Sequence, residues 1–141
     1  MSFRVELKGW EEARPSAAPL RYGVFMEEKY ALPGIELDDL DAQCVHALAI
    51  DEAGATIATG RLQPDGAIGR MAVLKDWRRR GVGEAIIQAL LEEARRRGYP
   101  EVSLTAPLQA AEFYRDLGFE ADGKVQKEAG LLQQRMRKSL A

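Results

Sequence analysis

Only one of the 141 residues is a cysteine. Cys44 has no partner within the chain, which excludes an internal disulfide and any cysteine-built metal site. Histidine is equally scarce, with His46 alone. No apolar run approaches the roughly 20 residues of a membrane helix, and no repeat, low-complexity segment or linker interrupts the chain. Charge of one sign is missing as well. Twenty basic residues against 22 acidic ones leave a net −2, which argues against a general nucleic-acid binder. The opening Met1-Ser2-Phe3-Arg4-Val5-Glu6-Leu7 alternates and does not read as a signal peptide, so a cytoplasmic location is expected. What remains is ordinary for a globular domain: 46% hydrophobic, 30% charged, and long enough for one core, so residues 1–141 are expected to form one domain.

Residues 67–97 organise the chain. Ala67-Ile68-Gly69-Arg70-Met71-Ala72-Val73-Leu74 is a strand candidate. Lys75-Asp76-Trp77 and Arg78-Arg79-Arg80-Gly81-Val82-Gly83-Glu84 follow. Then Val82, Ile86, Leu90 and Ala94, with Ile87 and Leu91 beside them, mark the buried stripe of an amphipathic helix. Strand, basic glycine-containing turn and helix start together suggest an anion site. The first N–H groups of a helix lack intrahelical partners and carry the positive end of the dipole. Gly81 and Gly83 allow close backbone approach. The turn lacks the third glycine of a dinucleotide fingerprint and the Gly-Lys-Ser/Thr ending of a P-loop. On its residues alone it is either a phosphate site or a helix start with basic surface side chains.

Around this centre, Phe3, Val5 and Leu7 give a first strand, ended by Gly9-Trp10. Pro15 and Pro19 bracket the start of a helix over residues 20–30, with Leu20, Val24, Phe25 and Tyr30 as its apolar side. Pro33-Gly34 breaks the chain. Residues 44–50 and 56–62 are the second and third strands, joined by a turn at residues 51–54. Pro64-Asp65-Gly66 turns into the fourth strand. Residues 101–106 form the fifth, residues 108–117 a short helix ended by Gly118, residues 119–122 the sixth and residues 131–137 the seventh. Hairpins followed by strand-helix-strand predict an α/β fold of the α+β kind: a mixed, mostly antiparallel sheet of about six or seven strands flanked by helices. Strands four and five, joined by a helix, should be parallel.

Two stretches resemble a known family. Arg78-Arg79-Arg80-Gly81-Val82-Gly83 is similar to the acyl-CoA pyrophosphate motif of the GNAT N-acetyltransferases. Ala110-Ala111-Glu112-Phe113-Tyr114-Arg115-Asp116-Leu117-Gly118-Phe119 is similar to that family's second signature. The residues Leu20-Arg21-Tyr22-Gly23-Val24-Phe25-Met26-Glu27-Glu28, the acidic run Glu36, Asp38, Asp39 and Asp41, and His46 resemble the ElaA-like branch, as do Ala58-Thr59-Gly60-Arg61 and residues 68–73. Two departures from that branch, Pro107 and Gln133, bear on the acceptor pocket.

The resemblance implies acetyl-CoA as co-substrate, no metal, and strands four and five splayed around the pantetheine arm. Backbone N–H groups of Arg79, Arg80, Gly81, Val82, Gly83 and Glu84 would hold the pyrophosphate, with charge from Arg78, Arg79 and Arg80. The strand segment Met71, Ala72 and Val73 would meet the arm, Met71 and Val73 through backbone groups. Tyr114 would be the proton donor to the leaving thiolate, and Phe113 a core residue. The implied partner is a small-molecule or peptide amine, without nucleic acid or membrane, and GNAT domains often pair as homodimers.

For the base that accepts the amine's proton, the fourth strand carries no acid. His46, Glu28, Glu36 and a water chain stand as alternatives, His46 more readily as a structural residue. The acidic run either steers a cationic acceptor or is a solvated loop. Arg21 and Arg61 either recognise an acceptor anion or pair with those acids. Two competing functions are a non-catalytic acyl-CoA-binding module and a nucleotide-phosphate binder sharing the helix-start anion site.

Overall fold

The computed structural model describes residues 2–28, 38–128 and 130–141. Tyr30 and Glu36 lie outside them, as does the side chain of Glu28. Among the described residues, eight strands form two four-stranded sheets. The first has the order β1 (Phe3–Lys8), β2 (Val45–Asp51), β3 (Thr56–Leu62), β4 (Ile68–Val73), all antiparallel. In the second, β8 (Leu131–Ser139) is central, with β5 (Glu101–Pro107) on one side and β6 (Glu120–Ala121) and β7 (Gln126–Glu128) in succession on the other.

The sheets meet at one parallel bridge, Ala67 to Ser103, where the Ser103 N–H donates to the Gly66 carbonyl at 3.0 Å. Gly66 is required there twice over. It turns the β3–β4 hairpin at φ +91°, and a side-chain carbon on it would sit 2.8 Å from the Glu101 carbonyl oxygen. Beyond this bridge β4 and β5 part, as expected for parallel, splayed strands four and five.

Side-chain parity on β2 shows how the first sheet is covered. Ala47 and Ala49 belong to the cluster built by Val82, Ile86, Ile87, Leu90, Leu91 and Ala94 of α2 (Val82–Arg96). Leu48 and Ile50 point the other way, onto Ala13 and Ala17 of α1 (Trp10–Glu28). With a helix on each face, the strand reads as an unbroken apolar run rather than an alternation.

The first helix differs from the expectation. It starts at Trp10, not near Leu20, and carries both Pro15 and Pro19 inside it. Each proline removes a backbone donor and normally ends a helix. Here Ala13, Ala17, Leu20, Arg21 and Val24 form one buried face, and that packing outweighs local propensity. The predicted helix after β5 divides into a 3₁₀ turn (Leu108–Ala110) and α3 (Ala111–Asp116). Strand β7 was not expected: Gln126, Lys127 and Glu128 are all exposed and carry no apolar pattern.

Candidate active site

The strand β4 is not regular. Thr59 pairs with Ala72 and Arg61 with Gly69, so Gly60 alone faces both Arg70 and Met71. This is a β-bulge, and Arg70 takes φ +50° to make it. A side-chain carbon on Gly60 would sit 2.5 Å from Met71 Sδ and 2.8 Å from Ile86 Cγ2, so one fits only if those side chains shift. A glycine inside a strand is the sequence signal for such a bulge.

The bulge opens onto a cavity of about 740 Å³ between the parting strands. Met71, Ala72 and Val73 line one wall, and Leu104, Thr105 and Pro107 of β5 the other. The two departures noted above sit together, since Pro107 is the register partner of Gln133. Ala72 is buried and packs its methyl on Leu20 and Val24, while Met71 and Val73 pack against the α2 side.

At the end of β4 the chain enters a 3₁₀ turn (Lys75–Trp77), anchored by the buried Trp77 against the edge of Phe3. Arg78 Nε donates to the Val73 carbonyl at 3.0 Å, and Arg80 Nε to the Asp76 carbonyl at 2.9 Å. Two of the three arginines thus brace the loop. Arg79 and Gly81 both take positive φ, +62° and +81°. Such alternation turns successive N–H groups toward one concave side, an anion-binding nest. The first intrahelical bond is from Ala85 N–H to the Gly81 carbonyl, and no side chain caps Gly81. The amides of Val82, Gly83 and Glu84 therefore precede the helix's own ladder. Arg78, Arg79, Gly81, Val82, Gly83 and Glu84 line the cavity, whereas Arg80 does not.

Tyr114 lies across the cavity on α3. Phe113 meets it edge-on at 5.0 Å and Phe119 at 5.9 Å. Burial pushes the Tyr114 phenol above the usual tyrosine range, so its hydroxyl keeps its proton at neutral pH. Phe113 is not a core residue: it is 42% exposed and lines the cavity beside Gly83. On a six-residue helix whose buried anchor is Ala111, the position two residues on faces the open side.

Behind Arg70 lies a buried polar cluster that joins the acidic run to β2 and β3. Arg21 Nη1 donates to both oxygens of Asp41 at 2.9 Å, and Arg61 Nη1 reaches Asp41 Oδ1 at 2.9 Å. Arg61 also donates to both oxygens of Asp38, at 2.6 and 2.9 Å, and Arg70 Nη2 donates to Asp38 Oδ2 at 3.0 Å. Hydrogen bonds from Arg61, its charge and that of Arg70 hold the Asp38 carboxyl well below the usual carboxylate range.

Asp38 and Asp41 are thus paired acids rather than a solvated loop, and Arg21 and Arg61 are their partners. Asp39 remains exposed. His46 Nε2 lies 2.9 Å from the Asp41 carbonyl, which can only accept, so this nitrogen carries the proton and Nδ1 accepts from Arg21 Nη2 at 3.3 Å. Burial lowers the His46 pKa, and Trp10 stacks on both His46 and Arg21. Fully buried and absent from the cavity wall, His46 is a structural residue here.

A splayed sheet, a bulged fourth strand, a helix-start anion loop and a tyrosine facing them define the acyl-CoA-binding α/β transferases. The profile described as "Acetyltransferase (GNAT) domain" matches residues 35–140, and the chain belongs to that family, whose members use acetyl-CoA or another acyl-CoA. The Bacillus subtilis protein YyaT is 31% identical over 121 residues, 82% of this chain and 81% of that protein. Among solved structures, an acyl-CoA N-acyltransferase from Pseudomonas aeruginosa superposes with a TM-score of 0.86 at 26% identity, covering 98% of this chain and all 100% of that one. ElaA from Escherichia coli shares the fold, with a TM-score of 0.86 at 22% identity over 98% of this chain and 100% of its own.

Proposed function

We propose that the chain is a single-domain N-acetyltransferase of the cytoplasm that moves an acetyl group from acetyl-CoA to a primary amine by direct attack in a ternary complex. The observation that carries this is the continuity of one cavity from the anion loop, along the β4 edge, to Tyr114. Acetyl-CoA supplies the acyl group as a thioester. The amides of residues 79–84 bind its pyrophosphate, with Arg78 and Arg79 adding charge. Backbone groups of Met71 and Val73, on the edge that β5 leaves, hold the pantetheine arm beside the thioester. Tyr114 donates its proton to the departing sulfur. His46 spends both ring nitrogens on its neighbours, which leaves water, Glu28 or Glu36 to accept the amine's proton; Glu36 and the Glu28 side chain lie outside the described residues.

The competing reading, a non-catalytic acyl-CoA-binding module, draws on one observation: the cavity wall of β4 presents Arg70 where a carboxylate base would be useful. Thiol release from acetyl-CoA with an amine panel separates the two. Tyr114→Phe is expected to lower kcat by about 100-fold, the low end for a positioned acid, with little change in acetyl-CoA affinity. Full turnover in this variant would remove Tyr114 from the mechanism.

A further inference from the structure

We propose that the acceptor is an amine on an apolar skeleton, branched aliphatic or aromatic, and that Phe25 is the specificity-determining residue that selects it. This rests on the acetyl-transfer reading above. A thioester carbonyl is attacked along a line steep to its plane, so the amine must come from whichever face of the bound thioester is left open. Met71, Val73, Leu104 and Tyr114 belong to the cluster built around α2 or pack against it. The leaving-group acid and the first turn of α2 therefore close one face of the gap between β4 and β5. Ala72 points the other way, toward α1. The amine enters on that side.

The surface it meets there is apolar. Val24 and Ala72 are buried, Phe25 packs against them half-buried, and all three line the cavity. Phe25 also carries this surface out of the cavity. Phe25 and Met26 stand three and four residues after Tyr22 on α1, so the three side chains are neighbours. Tyr22 is 56% and Met26 41% exposed, an apolar strip that continues the cavity wall. A polar group set on Val24, Phe25 and Ala72 would lose its water and gain no hydrogen bond from their side chains. An apolar group would release water from itself and from Phe25 together. The same wall disfavours the charged form of an amine beside it, and attack requires the neutral form.

The test uses conjugates in which CoA sulfur is joined through an acetamide to one of four amines of nearly the same shape: isopentylamine, β-alaninamide, β-alanine and 3-aminopropionamidine. Their far ends are isopropyl, carboxamide, carboxylate and amidinium, so polarity varies while size is held. Affinities are measured by calorimetry on wild type, Phe25→Leu and Phe25→Ala, with CoA itself as reference. The isopentyl conjugate should bind wild type about tenfold more tightly than each of the other three, the worth of two buried methyl groups. Phe25→Leu should keep most of that advantage and Phe25→Ala should lose it, with CoA binding unchanged in all three proteins. A polar conjugate that matches or outbinds the isopentyl one overturns the proposal, and a win for the carboxylate would hand selection to Arg70, which lines the same cavity. An advantage that persists in Phe25→Ala overturns it too, as does a loss of CoA affinity in that variant, which would place the ring on the pantetheine arm. Failure of CoA itself to bind folded wild type overturns the acetyl-transfer reading beneath it.

Discussion

The two ends of the cavity are built from different materials. The loop end is made of main chain: left-handed residues at Arg79 and Gly81, and helix amides ahead of the first ladder bond. The Arg70 end is made of side-chain charges gathered from α1, β3, β4 and residues 38–41. A backbone site depends on where glycine stands and tolerates change in the surrounding side chains. A charge cluster depends on every member, because each buried ion is stabilised only by its partners.

Four substitutions and a pH titration probe that difference, in falling order of expected effect. Asp41→Ala removes the carboxylate shared by Arg21 and Arg61 and leaves both guanidiniums buried. Urea unfolding should show a loss of about 3–5 kcal/mol. A loss below 1 kcal/mol would mean that the cluster is not a structural unit. Gly60→Ala forces a methyl against Met71 and Ile86 opposite the bulge. Overpacking of this kind costs about 1–3 kcal/mol, and the same variant should weaken acetyl-CoA binding by shifting Met71.

The pH dependence follows from His46. Its folded pKa lies below the ordinary 6.5 because burial disfavours the charged ring. Protonation then favours the unfolded chain, so this contribution is complete above pH 6.5 and is lost as pH falls through the lowered value. For Asp38, also lowered, the loss begins below the ordinary 3.8. Unfolding free energies measured down the pH scale should decline in those two windows, and His46→Gln, which keeps an N–H for the Asp41 carbonyl, should abolish the first. The smallest effect belongs to Arg79→Gly. It relieves a left-handed residue and should raise stability by up to about 1 kcal/mol, with acetyl-CoA affinity falling only modestly because the main chain does the holding. A collapse of affinity would transfer the loop end to side-chain chemistry and erase the contrast.

The same division explains what the sequence disclosed. The α2 stripe and the spacing of Gly81 and Gly83 are local, periodic signals, and both elements stand where they were expected. The start of α1 was illegible because Pro15 and Pro19 signal a break, and only tertiary packing of Ala13, Ala17 and Arg21 overrides them. The pairing of Asp41 with Arg21 and Arg61 spans 20 residues in each direction. A run of acids says nothing of partners that distant. The bulge at Arg70 was legible in principle from Gly60, whereas β7 offered no apolar pattern to find.

The central claim is that one cavity binds acetyl-CoA through the loop of residues 78–84. Calorimetric titration of the purified protein with acetyl-CoA, CoA and ATP tests it most directly. Saturable binding of acetyl-CoA and CoA, with none of ATP, is the predicted result. Absence of acetyl-CoA binding by a folded sample, or binding of ATP in its place, would contradict it.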